Sequence, residues 1–113
     1  MRNYEIVIDS SADLNAELRA RFGIYEDYIR GVIYMPGDKE QLADLEWKNQ
    51  SSEEYFKTVK AKPGVVHTAF ATTEEFNRVV EPILKEGKDV IVFTMSSGMS
   101  GTANAFRLNA EML

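Results

Sequence analysis

The sequence predicts an α/β fold: three layers, α/β/α, around a mainly parallel sheet, in a single domain over residues 1–113. Two observations carry this. Short apolar runs alternate along the chain with segments of helical period, which is the signature of strands joined by helical crossovers. The run Val90-Ile91-Val92-Phe93 is apolar throughout and rich in β-branched residues, as a strand buried on both faces must be. Parallel neighbours cross over right-handedly, which puts helices on both faces of such a sheet.

Taken in order, Tyr4 to Ile8 form a first strand that closes on Asp9-Ser10-Ser11. Ser10 and Asp13 stand at capping-box spacing, so Ser10 or Ser11 is expected to cap a helix running to Phe22, with Gly23 just past its end. Tyr28 to Tyr34 read as a second strand, and Pro36-Gly37-Asp38 as a turn. Lys39 to Gln50 are polar and irregular, tucked onto the body by Leu42, Leu45 and Trp47. Ser51 and Glu54 cap a helix whose buried face is expected to be Tyr55, Phe56 and Val59, stopped by Lys62-Pro63-Gly64. Val65-Val66-His67 suggest a short strand. Thr72 and Glu75 cap the next helix, Thr73 to Lys85, with the apolar stripe Phe76, Val79, Val80, Ile83 and Leu84. Pro82 conflicts with that pattern, since an interior proline costs about 3 kcal/mol, and a kink or early end is expected. Gly87 closes the helix, the Val90 strand follows, and a last helix runs to the C-terminus.

Composition narrows the function. The chain has 113 residues, enough for one modest core, and 44% of them are apolar. A net charge of −5 argues against nucleic acid and anionic membrane surfaces as partners. There are no cysteines and one histidine, so no clustered thiolate or imidazole metal site is expected. No apolar run approaches the roughly 18 residues of a membrane span, and the N-terminus lacks a signal-peptide layout. A cytoplasmic protein without metal or cofactor is the expectation.

The chemistry concentrates where the Val90 strand breaks into Met95-Ser96-Ser97-Gly98-Met99-Ser100-Gly101-Thr102 and a helix opens. Glycines let a ligand approach the main chain. The hydroxyls of Ser96, Ser97, Ser100 and Thr102 join the first N–H groups and the positive end of the helix dipole to make an anion site. The alternative is a strand-to-helix turn whose serines only cap. The stretch lacks the Gly-Lys-Ser/Thr of a P-loop and is one residue short of a Gly-x-Ser-x-Gly elbow. Asp9 lies at the same strand-end edge, where it serves either as a cap or as a ligand contact. His67 is read as a loop or core histidine, not a catalyst.

Asp9-Ser10-Ser11-Ala12-Asp13-Leu14, then Thr68 to Phe76, then Ser96-Ser97-Gly98-Met99-Ser100-Gly101-Thr102 resemble the DegV family in order and spacing. The resemblance implies the N-terminal lobe of a two-lobed bacterial fatty-acid-binding protein, with the partner lobe absent. Such a protein holds an acyl chain in an apolar tunnel and presents its carboxylate to a fatty-acid kinase, which makes the acyl phosphate used in phospholipid synthesis. Carried over by position, Thr68, Ser96, Ser97, Gly98 and Ser100 would bind the carboxylate. Ile29, Ile33, Phe70, Met95 and Met99 are candidate tunnel lining, ordinary core packing being the alternative for each. Where the family reads Thr-Ser-Gln-Pro-Ser-Pro this chain has Thr68-Ala69-Phe70-Ala71-Thr72-Thr73, losing polar groups and a proline.

Three functions follow as expectations. The first is a non-enzymatic carrier whose ligand is a long-chain fatty acid and whose partner is the kinase. The second is a small Ser-dependent hydrolase or phosphate-handling enzyme using Ser97 or Ser100, with Asp9 as the sole obvious helper. The third is a truncated module with an incomplete site that self-associates through the face left by the missing lobe.

Overall fold

The elements are β1 (Tyr4–Ile8), a 3-10 turn (Ser10–Ala12), α1 (Ala16–Arg21), β2 (Val32–Met35), β3 (Lys39–Leu42), α2 (Ser52–Ala61), β4 (His67–Ala69), α3 (Thr73–Lys85), β5 (Asp89–Phe93) and α4 (Thr102–Glu111). A computed structural model describes residues 3–36, 39–48, 51–61, 66–94 and 100–113. Gly37-Asp38 of the expected turn, the expected helix stop Lys62-Pro63-Gly64, and Met95 through Met99 lie outside the described residues.

The chain is α/β with a parallel sheet. β1 and β5 pair in parallel, from Tyr4 opposite Asp89 to Ile8 opposite Phe93. Along the other edge of β1, Tyr25 N–H donates to the Ile6 carbonyl (2.8 Å) and Ile29 N–H to that of Ile8 (3.0 Å). The core lies on one face of this pair. Val7, Ile29, Phe76, Val79, Val80, Ile83 and Phe106 are buried together, with Val90 and Val92 packed against them. α3 sits on β5 and α4, and the Phe76 and Phe106 rings meet at 5.0 Å between centroids.

Local signals explain where α3 begins and ends. Thr72 Oγ1 accepts the Glu75 N–H at 3.2 Å, and Glu74 and Glu75 fill the first turn. Pro82 does not end the helix early: it stands in the last turn of a helix that runs to Lys85. Its missing N–H costs the helix one backbone bond, and four buried residues hold the helix down all the same. Gly87, at φ 80°, then turns the chain in the left-handed region.

A second, antiparallel sheet has the order β3-β2-β4. β3 falls in the segment read from sequence as irregular. Its residues Lys39-Glu40-Gln41-Leu42 lack the apolar alternation of a strand, and pairing with β2 imposes the extended form. β2 is shorter than the expected Tyr28–Tyr34 strand. Tyr28 is drawn into the interior, 1% exposed, between the guanidinium groups of Arg19 and Arg30, each 4.7 Å from its ring centre. α1 also starts later than expected: Asn15 caps it, its Oδ1 accepting from Leu18 N–H at 3.0 Å, while Ser10 and Ser11 form the 3-10 turn. In α2 the cap is as expected, Ser51 Oγ accepting from Glu54 N–H at 3.1 Å. The expected buried face is not: no residue of α2 is buried, and Phe56 is 60% exposed. Tyr55 and Phe56 border a cavity instead of a core.

Candidate functional site

Three backbone segments meet at the end of β1. Asp9, 7% exposed, stands at the N-cap of the 3-10 turn, where its carboxylate accepts both the N–H and the hydroxyl of Ser11. The next hydroxyl, Ser10 Oγ, accepts the N–H of Gly31 at 3.0 Å. A Cβ at Gly31 would stand 3.0 Å from the Ala69 carbonyl oxygen and 3.3 Å from Ser10 Oγ, so any larger residue would have to push these neighbours back by a few tenths of an ångström. β1, β2 and β4 are thereby locked around one point.

α4 opens on the far side of the same point. Ser100 and Thr102 hydroxyls lie 2.8 Å apart, and Ser100 Oγ accepts the Thr102 N–H at 3.2 Å. Gly101, at the N-cap, contributes no side-chain bond of its own. Deeper in, Thr73 Oγ1 donates to Asn109 Oδ1 at 2.9 Å and fixes α4 against α3.

Between these elements lies a cavity of about 650 Å³. Thr68, Ser100, Ile29, Ile33 and Phe70, five of the ten candidate residues, line it together. The other five, Met95, Ser96, Ser97, Gly98 and Met99, lie outside the described residues. Asp9, Ser10, Ser11 and Thr102 add polar lining, and Gly31, Val32, Ala43, Ala69 and Ala71 add apolar or backbone lining. No basic side chain lines it among the described residues. An anion bound there would be held by hydroxyl and backbone donors and by the N-terminal end of the α4 dipole. His67 is exposed and is not part of the lining.

Sequence reasoning passed over three of the lining residues, Gly31, Val32 and Ala43. The glycine inside the apolar stretch from Tyr28 to Tyr34 was a legible signal of close backbone approach. Ala43, in a segment read as irregular, carried none.

Comparison with known proteins decides the lineage. The model of the DegV family, described as "Uncharacterised protein, DegV family", matches residues 3–113. The chain belongs to the DegV family. Among solved structures, it is similar to a hypothetical protein from Thermotoga maritima reported to reveal a fatty-acid-binding function, with 22% identity and a TM-score of 0.78 over 100% of this chain and 40% of that one. A DegV-family protein from Thermus thermophilus, described for its fatty-acid binding, gives 26% identity and a TM-score of 0.78, covering 98% of this chain and 38% of that one. DegV from Bacillus subtilis, a fatty-acid-binding protein, gives 22% and 0.78, covering 100% and 38%. This chain therefore spans about two-fifths of the length of these DegV relatives and corresponds to their N-terminal portion. No curated protein matches the sequence. Among the described residues no helix is long and apolar enough to cross a membrane, and no cluster of candidate metal ligands occurs.

Proposed function

We propose that this DegV-family chain binds a long-chain fatty acid through the cavity at the α4 N-terminus. The carboxylate is held by the hydroxyls of Thr68 and Ser100 together with Ser96, Ser97 and Gly98. The first methylenes lie against Ile29, Ile33 and Phe70, with Met95 and Met99 completing the lining. One observation carries the reading: hydroxyls from β4 and the α4 end share a single cavity with apolar side chains from β2 and the segment before it. A fatty acid is the ligand class that needs both.

The role is a carrier's, not a catalyst's. Ser100, the described candidate nucleophile, engages the hydroxyl and N–H of Thr102, and no histidine or lysine lines the cavity beside it among the described residues. In keeping with the family resemblance, the bound carboxylate would be presented to a fatty-acid kinase in the cytoplasm, giving an acyl phosphate for phospholipid synthesis. Ile91 (46% exposed) and Phe93 (58%) on the open face of β5 are where self-association would occur.

The test is mass spectrometry of an organic extract of the purified chain, beside a Thr68→Val/Ser100→Ala variant. One fatty acid per chain is expected, with affinity for added stearate falling about tenfold or more per donor removed, since a hydrogen bond to a charged group contributes about 1.5–3 kcal/mol. A chain that neither carries nor takes up fatty acid would overturn the reading.

A further inference from the structure

Among the described residues, five hydroxyls line the cavity: those of Ser10, Ser11, Thr68, Ser100 and Thr102. Ser11 donates its proton to the Asp9 carboxylate, and Ser10 Oγ accepts the Gly31 N–H. Ser100 and Thr102 are tied to each other. Their oxygens lie 2.8 Å apart, and Ser100 Oγ also accepts the Thr102 N–H at 3.2 Å. A hydroxyl has one proton and two lone pairs. The pair therefore uses one proton internally and keeps one for a ligand, and two hydrogen placements fit the distance. If Ser100 donates to Thr102, the remaining proton is on Thr102 and Ser100 keeps an open lone pair. If Thr102 donates, both lone pairs of Ser100 are filled, and Ser100 faces a ligand as a donor only.

Thr102 is the fixed member of the pair. It opens α4 and is 6% exposed, whereas Ser100 precedes the helix. α4 is held to α3 by the bond from Thr73 to Asn109 and by the contact of Phe106 with Phe76. Gly101, at the N-cap, makes no side-chain bond, which leaves the Thr102 N–H to Ser100. Phe70 borders the same turn, its ring 3.5 Å from where a Cβ at Gly101 would stand. An apolar neighbour lowers the local dielectric and strengthens the hydrogen bonds beside it.

We infer that Thr102 is a positioning residue for the head group: its hydroxyl and its N–H both donate to Ser100 Oγ, which aims the Ser100 proton at an anionic acceptor. This rests on the fatty-acid reading above and adds to it a residue that acts through Ser100. Two donors on one oxygen fix the Ser100 rotamer. The run from Thr102 hydroxyl to Ser100 hydroxyl to carboxylate is a chain in which each bond polarises the next. The head group is thereby selected for charge and for having no proton to place. An ionised carboxylate only accepts, whereas an alcohol carries a proton for which Ser100 offers no acceptor.

The test compares radiolabelled stearate with radiolabelled stearyl alcohol in equilibrium dialysis. Thr102→Val keeps the shape and the backbone N–H but lacks the hydroxyl. It is expected to weaken stearate about fivefold, the size of one ordinary hydrogen bond, and the alcohol by less than about twofold. Thr102→Ser, which restores the hydroxyl, is expected to recover wild-type stearate affinity. Should circular dichroism show that valine disturbs folding, Thr102→Ala carries the same expectation, alanine being well suited to a helix. A merely structural role would move both ligands together, so equal losses for stearate and alcohol overturn the inference. Unchanged stearate affinity without the hydroxyl, or no recovery in Thr102→Ser, also overturns it. Stearate held as tightly by Ser100→Ala as by the wild type overturns it too, and leaves fatty-acid binding standing with its head group elsewhere. A wild-type chain that takes up no stearate overturns both readings.

Discussion

Helices α3 and α2 start from the same local instructions and are put to different uses. Each opens on a hydroxyl that accepts an N–H three residues on, Thr72 to Glu75 and Ser51 to Glu54, and each fills its first turn with acids. α3 then buries Phe76, Val79, Val80 and Ile83 against the parallel strands, whereas α2 buries nothing. Capping says where a helix begins; it does not say what its apolar face will meet. In this chain one face meets a core and the other meets a cavity. The region that holds the fold together is thus separate from the region that α2 borders, a cavity lined by Tyr55 and Phe56.

The sharpest way to break this contrast is a pair of phenylalanine truncations. Phe76 is 2% exposed and packed at a tilt against Phe106. Phe76→Ala is expected to cost about 3–5 kcal/mol, the usual loss for a buried aromatic ring. Phe56→Ala should change stability by only about 0.5 kcal/mol, as at other exposed positions. Urea unfolding of both variants measures the difference. Similar losses would mean that α2 is part of the core after all.

The same contrast explains what could be read from the sequence. The bounds of α3 were legible to the residue because its cap, four of its five stripe residues and its closing Gly87 agree with its burial; Leu84, the fifth, is 41% exposed at the helix end. β1 and β5 were legible as strands because apolar β-branched runs have few other uses, but the reading of β5 as buried on both faces is not met: Val90 and Val92 pack on the core while Ile91 (46%) and Phe93 (58%) are exposed. Ser100 was singled out by the Ser/Gly-rich turn ahead of a helix and Thr68 through the family pattern, and both line one cavity. β3 could not be read, because Lys39 to Leu42 are extended only through pairing with β2. Nor could α2's exposure: Tyr55, Phe56 and Val59 have helical spacing, and spacing cannot distinguish a core from a cavity wall. The displacement of the α1 start is a competition between two good caps. Asn15 takes the helix, and Asp9 takes Ser11 into a turn of its own.

Smaller effects sharpen the comparison at the caps. Thr72→Ala removes the bond to Glu75 N–H from a helix whose burial is coupled to the whole core, and about 1–2 kcal/mol is expected. Ser51→Ala removes the equivalent bond from a helix that buries nothing, and a loss nearer 0.5 kcal/mol is expected, because α2 can fray without opening the core. Hydrogen exchange distinguishes the two consequences. The Ser51 variant should speed exchange within α2 alone, and the Thr72 variant should speed it throughout the core amides.

The smallest effect concerns acid. Arg78 of α3 reaches across to the segment before β2, pairing with Asp27 at 2.6 Å and with Glu75 at 2.7 Å. Partial burial opposes ionisation of Asp27, but the hydrogen bond from Arg78 and that from Tyr28 N–H outweigh it, and the carboxyl titrates below its ordinary value. Arg78, for its part, is held charged by hydrogen bonds to the two carboxylates. A carboxyl whose folded value is depressed stabilises the fold above its unfolded pKa of about 3.9, and that stabilisation is lost as pH falls through the lower folded value. Asp27→Asn should therefore lower the midpoint slightly at neutral pH, the pair being partly exposed, and the gap to wild type should close as pH falls below about 4, which flattens the variant's acid limb. Urea midpoints of wild type and variant across the acid range check this. Parallel curves would show that the bridge between Asp27 and α3 contributes nothing to acid stability, and the core face of α3 would then account for its docking alone.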